Sequence, residues 1–110
     1  MSTFLHINAV APQSLVMLCT PSDALPDMSA VTSSVIVCQK PTGVIVVWPV
    51  TLSSQTQTTL TITHQFAVGD VDVIGTYRCY PTHTVSGGQI RGEVTSFNVV
   101  GEFDFDKEIG

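Results

Sequence analysis

The residues of this sequence that could do metal or nucleophilic chemistry are its histidines and cysteines. They are few and widely spaced: His6, Cys19, Cys38, His64, Cys79 and His83. Metal sites in proteins are usually recognised by ligands at short, regular spacings such as Cys-x-x-Cys. The sequence contains no such spacing, so we expect no metal site and no cofactor.

A cysteine–histidine nucleophile is the one catalytic arrangement that the order of these residues suggests. Cys79 and His83 are four residues apart in a predicted strand, which separates them by about 13 Å at roughly 3.3 Å per residue. A histidine activates a thiol only within hydrogen-bonding distance. There is also no glycine-rich phosphate loop and no Gly-x-Ser-x-Gly motif. We therefore expect no catalytic residue and no enzymatic activity.

Two aspartates in the stretch "GDVDVIGTYRCY" (69–80) allow two interpretations. Asp70 and Asp72 could supply oxygen ligands to Ca²⁺. Alternatively, their side chains accept hydrogen bonds from the local backbone of a turn, as aspartates commonly do. Two carboxylates without further Asp or Asn residues nearby favour the turn.

Composition narrows the class of protein and the partners it can have. The chain has 110 residues, enough for one domain, and only 12% of them are charged, against about 25% in typical soluble domains. Its net charge of -5 argues against nucleic acid and anionic membranes as partners. The low charge has two explanations: Ser and Thr keep the surface soluble, or partners cover it.

The start of the chain and its cysteine count bear on where the protein is made. The start "MSTFLHINAV" lacks the basic region and long apolar region of a signal peptide. The longest apolar run, 44–50, is much shorter than the roughly 20 residues of a spanning helix. An odd number of cysteines without a signal peptide favours reduced thiols. We expect a protein made in the cytoplasm.

Strand signals dominate the chain, and helix signals are almost absent. Val, Ile and Thr are abundant, and these β-branched residues suit a pleated sheet. In "TTLTITHQF" (58–66) apolar and polar residues alternate, whereas in "TSSVIVCQK" (32–40) both faces are apolar, as in a central strand or one covered by a neighbour. Turn residues separate seven predicted strands: 4–10, 14–20, 32–40, 44–52, 58–66, 75–83 and 90–100.

Seven short strands at intervals of about ten residues predict an all-β fold, an immunoglobulin-like antiparallel β-sandwich of about seven strands. We assign residues 1–100 to this domain. Residues 101–110, "GEFDFDKEIG", alternate Phe103 and Phe105 with acids. They are either an acidic C-terminal arm that docks on a partner or the last strand of the sandwich.

Two stretches resemble a known family when they are taken together. "PDMSAVTSSVIVCQKPTG" (26–43) and "GDVDVIGTYRCY" (69–80) occur in the order and spacing of the immunoglobulin-like domain of tailed-bacteriophage structural proteins. The N-terminal module of the phage baseplate upper protein is one such domain. The residues that carry the resemblance most clearly are Asp70, Asp72, Gly75 and Tyr77. Thr42 departs from the pattern, which usually has Asp in that hairpin.

The resemblance implies a structural, non-enzymatic role in a tailed-phage virion. The chain would be made in the bacterial cytoplasm and would bridge other virion proteins of the tail, baseplate or neck, as a homo-oligomer or in multiple copies within a symmetric assembly. A capsid decoration protein is the alternative. A glycan-binding adhesin is less favoured, because Trp48 is the only tryptophan and lies in an apolar strand. The expected partner contacts are the two hairpin tips and the C-terminal arm: Pro41, Thr42, Gly43, Gly87, Gly88, Phe103 and Phe105.

The immunoglobulin-like fold also raises a question about the cysteines. Antibody-type domains carry a Tyr two residues before the second Cys of the disulfide that links the sheets, and Tyr77 precedes Cys79 in this way. We therefore expect residues 70–75 to form the corner into a strand, and Tyr77 to pack or hydrogen-bond back across that corner. Cys38 and Cys79 could form that disulfide. Alternatively both are free thiols that pack in the core as small apolar side chains, which the reducing cytoplasm favours.

Overall fold

A computed structural model describes residues 4–9 and 13–101, and nearly all of its regular structure is β-strand. A three-residue 3₁₀ helix (Met28–Ala30) is the single helical element of the described part. Within these residues no helix is long and apolar enough to cross a membrane. The strands are β1 (Phe4–His6), β2 (Ser14–Cys19), β3 (Ser33–Gln39), β4 (Ile45–Pro49), β5 (Thr51–Ser53), β6 (Leu60–Gln65), β7 (Gly75–Val85), β8 (Gly88–Arg91) and β9 (Thr95–Val100).

The strands form two sheets that pack face to face. The larger sheet has the order β1-β9-β7-β3-β4, with β8 also paired to β7, and the smaller sheet has the order β2-β6-β5. All neighbours are antiparallel except β1 and β9. This division of the strands follows the immunoglobulin fold, in which strands B, E and D face strands C, F and G. The predicted immunoglobulin-like β-sandwich is confirmed.

Two predicted strands are each divided in the structure. The predicted strand 44–52 breaks at Val50: β4 pairs with β3 in the larger sheet, and β5 pairs with β6 in the smaller one. The chain therefore crosses from one sheet to the other within one apolar stretch. Periodicity alone could not reveal this, since both halves are extended.

The second divided strand is the predicted strand 90–100, which becomes β8 and β9 with a β-bulge between them, opposite β7. Thr82 pairs with Arg91, whereas Cys79 pairs with Thr95. Two residues of β7 therefore face three residues, 92–94, of the other strand. One extra residue in one strand of an antiparallel pair is the definition of a bulge.

Pro81 explains the position of this bulge. It lies within β7, which has neighbours on both sides, although proline lacks the N–H that a central strand normally donates. Gly92 N donates to Pro81 O at 2.8 Å, so the missing N–H of Pro81 also points toward the bulge. A Cβ on Gly92 would lie 2.6 Å from Pro81 Cγ, and glycine avoids that clash.

The core lies between the sheets and contains an aromatic cluster. Trp48 from the larger sheet stacks on His64 from the smaller sheet, with ring centroids 4.8 Å apart. Phe66 meets both rings edge-on, and Phe97 stacks on Tyr77. Trp48 is only 3% exposed, so it is a core residue and offers no aromatic surface to a ligand.

The corner before β7 is held by a tyrosine. The Tyr77 hydroxyl donates to Val73 O at 2.8 Å and accepts from Val73 N at 3.0 Å. This is the tyrosine corner of immunoglobulin-like sandwiches, as the spacing of Tyr77 and Cys79 predicted. Gly75 has φ +137°, and a Cβ there would lie 2.8 Å from Pro41 Cγ. The corner therefore requires glycine at this position.

The cysteines are free and buried. Cys38 and Cys79 are direct partners on β3 and β7, which are neighbours in the larger sheet. A disulfide that links the two sheets through this pair is therefore wrong, because both residues belong to one sheet. The hydrogen bond to Cys79, together with burial, raises the pKa of the Cys38 thiol.

Candidate protein-binding face

The outer face of the larger sheet carries apolar side chains that the described chain leaves uncovered. On β4, Ile45 is 64% exposed and Val47 is 59% exposed. Their neighbours on β3, Val35 and Val37, are half-buried because alternate residues of that strand point into the core. We call this surface the outer face; its apolar members are Val35, Val37, Ile45, Val47, Pro49 and Tyr80.

The sheet register assembles these side chains into rows. Val37 pairs with Val47 on one side and with Tyr80 on the other, which places one apolar row across three strands. The next row begins with Pro49 and Val35. Rows of apolar residues on one side of a sheet form a continuous patch, whereas isolated exposed apolar side chains are ordinary on any protein surface.

Two arginines border the apolar rows. The guanidinium carbon of Arg91 lies 4.6 Å from the centroid of the Tyr80 ring, within the range of a cation–π interaction. Arg78, two residues before Tyr80 on β7, is exposed on the same face. Arg78 borders a shallow depression of about 270 Å³ on this face, whose other lining residues are Val37, Gln39, Ile45, Tyr80 and Val94.

The charge of this face contrasts with that of the chain. Of the three basic residues in the described part, Lys40 is engaged by Asp72, with Nζ to Oδ1 at 2.7 Å. Their hydrogen bond raises the pKa of Lys40 and lowers that of Asp72. Arg78 and Arg91 remain on the outer face of a chain whose net charge is -5. The face therefore suits a partner with an apolar anchor and nearby carboxylates.

The two hairpin tips predicted as partner contacts lie at opposite ends of the larger sheet. Pro41, Thr42 and Gly43 join β3 to β4 and are exposed beside the start of β7, where Gln39 pairs with Arg78. Gly87 and Gly88 are exposed at the other end of β7, where Gly87 lies in the connection and Gly88 begins β8. The structure does not bring these tips into one site. Phe103 and Phe105 lie outside the described residues.

Asp70 and Asp72 contact different partners. Asp70 accepts a hydrogen bond from Ala67 N at 2.8 Å and contacts His64 Nε2 at 2.7 Å, while Asp72 binds Lys40. The two carboxylates therefore hold the turn in place and do not converge on one position. No group of three or more potential metal ligands is found among residues 4–9 and 13–101.

The side chains of His64 and His83 make structural contacts as well. The second ring nitrogen of His64, Nδ1, lies 2.7 Å from Pro49 O, and because a carbonyl only accepts, Nδ1 is the donor. His83 is 3% exposed and contacts Ser34 Oγ through Nδ1 at 2.7 Å. Burial lowers the pKa of His83. His83 joins the neighbouring strands β7 and β3, whereas His64 links the smaller sheet to the larger one. His83 also lines a cleft beside β2.

Sequence reasoning missed the outer face as a site. The available signal was the stretch 32–40, in which both faces of the predicted strand are apolar. That pattern is equally typical of a strand buried on both sides, so it did not distinguish an exposed apolar face from a covered one. Only the sheet order shows that nothing in the described chain covers Val35 and Val37.

Comparisons with known proteins place this chain in no family. No protein-family model matches the chain, and no curated protein matches it. Among solved structures, the crystal structure of CopC from Methylosinus trichosporium OB3b is similar over 92% of this chain and 87% of that chain. The two share 19% sequence identity, with a TM-score of 0.45. That degree of likeness assigns no function to this chain.

Proposed function

We propose that this chain is a non-enzymatic structural component of a tailed-phage virion that binds another virion protein through the outer face. The observation that carries the binding role is the uncovered apolar patch around Ile45 and Val47. The assignment to a virion is supported by the sequence resemblance to phage immunoglobulin-like domains. The location is the tail, baseplate or neck, with the head surface as the alternative.

The mechanism is association by burial of apolar surface with charged residues at the rim. Each apolar side chain that a partner covers contributes about 25 cal/mol per Å² of area removed from water. Arg78 and Arg91 would orient a partner that presents carboxylates, since charges at the rim of an interface act mainly on specificity and association rate. Repetition on a symmetric scaffold would then strengthen a modest single interface by multivalency.

The outer face is tested by placing charges in its centre. Ile45→Lys with Val47→Lys should abolish incorporation of the chain into particles while its unfolding free energy changes little, because both side chains are already more than half exposed. Thr51→Lys with Ser53→Lys, on the smaller sheet, is the matched control and should incorporate normally. The measurement is the amount of chain per purified particle, by quantitative mass spectrometry.

Three outcomes would contradict this proposal. If the chain is absent from purified particles, the virion role is wrong. If it is present and the Lys pair incorporates as well as the control pair, the outer face is not the contact. Binding to a glycan array in place of particles would support the adhesin interpretation. Electron microscopy of tagged particles distinguishes the tail from the head.

A further inference from the structure

β2 is a long edge strand without the protection that the other described edges have. Strand edges invite pairing with another chain, and proteins protect them with proline, charge or short length. Pro49 lies on the edge strand β4, while β1, β5 and β8 have only three or four residues. β2 has six residues, "SLVMLC", with neither proline nor charge.

The free side of β2 presents backbone groups as well as apolar side chains. Phe66 N donates to Gln13 O at 3.0 Å, so Gln13 and the residues at alternate positions after it turn their N–H and C=O groups toward β6. The N–H and C=O groups of Val16 and Leu18 therefore point to the open edge. The side chains of these two residues are 58% and 67% exposed.

A cleft of about 670 Å³ opens beside this edge, between β2 and the strands β8 and β9. Its lining is mixed. The polar part includes Arg91 and Glu93, and the apolar part includes Leu15 and Met17 from β2, Leu25 from the following loop, and Ile90 and Phe97 from the larger sheet. A strand added to β2 would direct every second side chain into this cleft, because side chains alternate between the two faces.

The C-terminal residues 102–110 have the pattern that such a strand requires. Phe103 and Phe105 alternate with Glu102, Asp104 and Asp106, so an extended segment has one aromatic face and one acidic face. The aromatic face fits the apolar part of the cleft, while Glu93 in the cleft lining would repel the carboxylates of the acidic face. The carboxylates then remain in solvent.

We propose that residues 102–110 of a second copy of this chain add to the free edge of β2, with Phe103 and Phe105 in the cleft. A second copy fits better than the same chain because of strand direction. Strand β9 ends at Val100, beside the start of β7. This is the same end of the sandwich at which β2 begins. The chain's own segment would have to run parallel to β2, whereas another copy can pair antiparallel, the more stable arrangement.

This strand addition uses a different surface from the outer face and holds independently of the proposed function. Each copy would offer one donor segment and one acceptor edge. Interfaces of this head-to-tail kind close into rings or extend as filaments. The full chain should therefore form higher oligomers whose population increases with concentration.

The experiment separates donor from acceptor with two variants of the full chain. Phe103→Ala with Phe105→Ala removes the donor side chains and should weaken self-association at least tenfold, on the order expected for losing two buried aromatic rings. Val16→Pro removes an N–H on the free edge and leaves the β2–β6 bonds intact, just as Pro49 sits on the edge of β4. Each variant alone should be monomeric in sedimentation velocity, and an equimolar mixture should form a one-to-one dimer.

Matched controls keep the same positions but retain the proposed contacts. Val16→Thr preserves the edge N–H, and Asp104→Ser with Asp106→Ser preserves both Phe residues; each should associate within about threefold of the original chain. Hydrogen exchange on the original chain should show the Val16 and Leu18 amides becoming protected as concentration rises. This readout does not depend on whether Val16→Pro folds.

Three results would overturn the inference. The original chain could be monomeric at every concentration, which would also be the result if its own segment occupied the cleft. The Phe103→Ala, Phe105→Ala variant could associate as strongly as the original chain. Alternatively, the two variants could fail to combine although circular dichroism shows both folded. None of these results affects the outer-face contact, which the Lys pair tests separately.

Discussion

Tyr77 combines two roles at the residue scale: its ring fills the core and its hydroxyl holds the preceding corner. The side chain has no exposed area, and the hydroxyl meets both backbone groups of Val73. Tyr77→Phe should lower the free energy of unfolding by about 1–3 kcal/mol, because it leaves a partly buried N–H and C=O without their partner. Urea denaturation followed by circular dichroism measures this.

Tyr80 supplies the matched comparison for that substitution. Its ring lies on the outer face under Arg91, and Tyr80→Phe keeps this contact. We expect the free energy of unfolding to change by no more than about 0.5 kcal/mol, which is typical of a surface substitution. Equal losses for the two variants would show that the corner hydrogen bonds contribute nothing specific to stability.

His83 makes a prediction about pH. Burial lowers the pKa of this side chain in the folded protein, so the folded state binds fewer protons than the unfolded state. The stability contributed by neutral His83 is fully present above the ordinary histidine pKa of 6.5 and is lost as the pH falls below it. The advantage of the original chain over His83→Leu should therefore decrease from pH 7.5 to pH 5, by at most about 1.4 kcal/mol per pH unit.

The comparison with His83→Leu isolates one histidine from the others. His64 also contacts a carboxylate, but it is present in both proteins, so its contribution cancels in the difference. Unfolding in urea at several pH values gives the two curves. A difference that stays constant with pH would contradict the role assigned to His83.

At the scale of elements, the bulge after β8 depends on one glycine and one proline. Gly92→Ala should destabilise the fold by about 1–3 kcal/mol, because the new Cβ would lie 2.6 Å from Pro81 Cγ. Adding Pro81→Ala to Gly92→Ala removes the atom that clashes and should restore part of this loss. A double-mutant cycle from urea denaturation measures the coupling.

Gly87→Ala is the control for that cycle. Gly87 has φ +95° and no atom within 4 Å of an added Cβ, so it reports backbone strain without a clash. It should show no coupling to Pro81→Ala. If Gly92 and Pro81 also prove uncoupled, the close contact is not the reason for glycine in the bulge.

The strands show which part of an element the sequence can predict. The alternation in 58–66 and the apolar stretch 32–40 predicted β6 and β3 closely, because each has one partner that pairs along its whole length, β2 for β6 and β7 for β3. The predicted strands 44–52 and 90–100 were each divided. The causes are a change of sheet at Val50 and a bulge opposite Pro81, and both depend on the partner strands.

At the scale of the whole molecule, the three thiols report on opening of the sandwich. Cys38 and Cys79 have no exposed area and Cys19 is 9% exposed at the edge of the cleft, while burial raises the pKa of Cys19. In native buffer a thiol reagent should react with Cys19 first and with the other two only on unfolding. Unfolded, reduced chain should show three reactive thiols.

Mass spectrometry after alkylation identifies which cysteine has reacted. The Cys19→Ser variant should lack the early phase and keep the slow one. Simultaneous reaction of all three thiols in native buffer would mean that the two sheets separate readily. A count of one thiol in unfolded chain purified without reductant would instead reveal a disulfide.

The sequence by itself determined the fold class, the tyrosine corner and the absence of any catalytic spacing. Each of these follows from local periodicity or from short spacings between residues, such as that between Tyr77 and Cys79. The tertiary structure decided the rest: the partner of Cys38, the apolar face around Ile45 and Val47, and the unprotected edge of β2. These depend on which strands become neighbours and which remain at an edge. Contacts between residues distant in the chain set that order, and local sequence does not encode them.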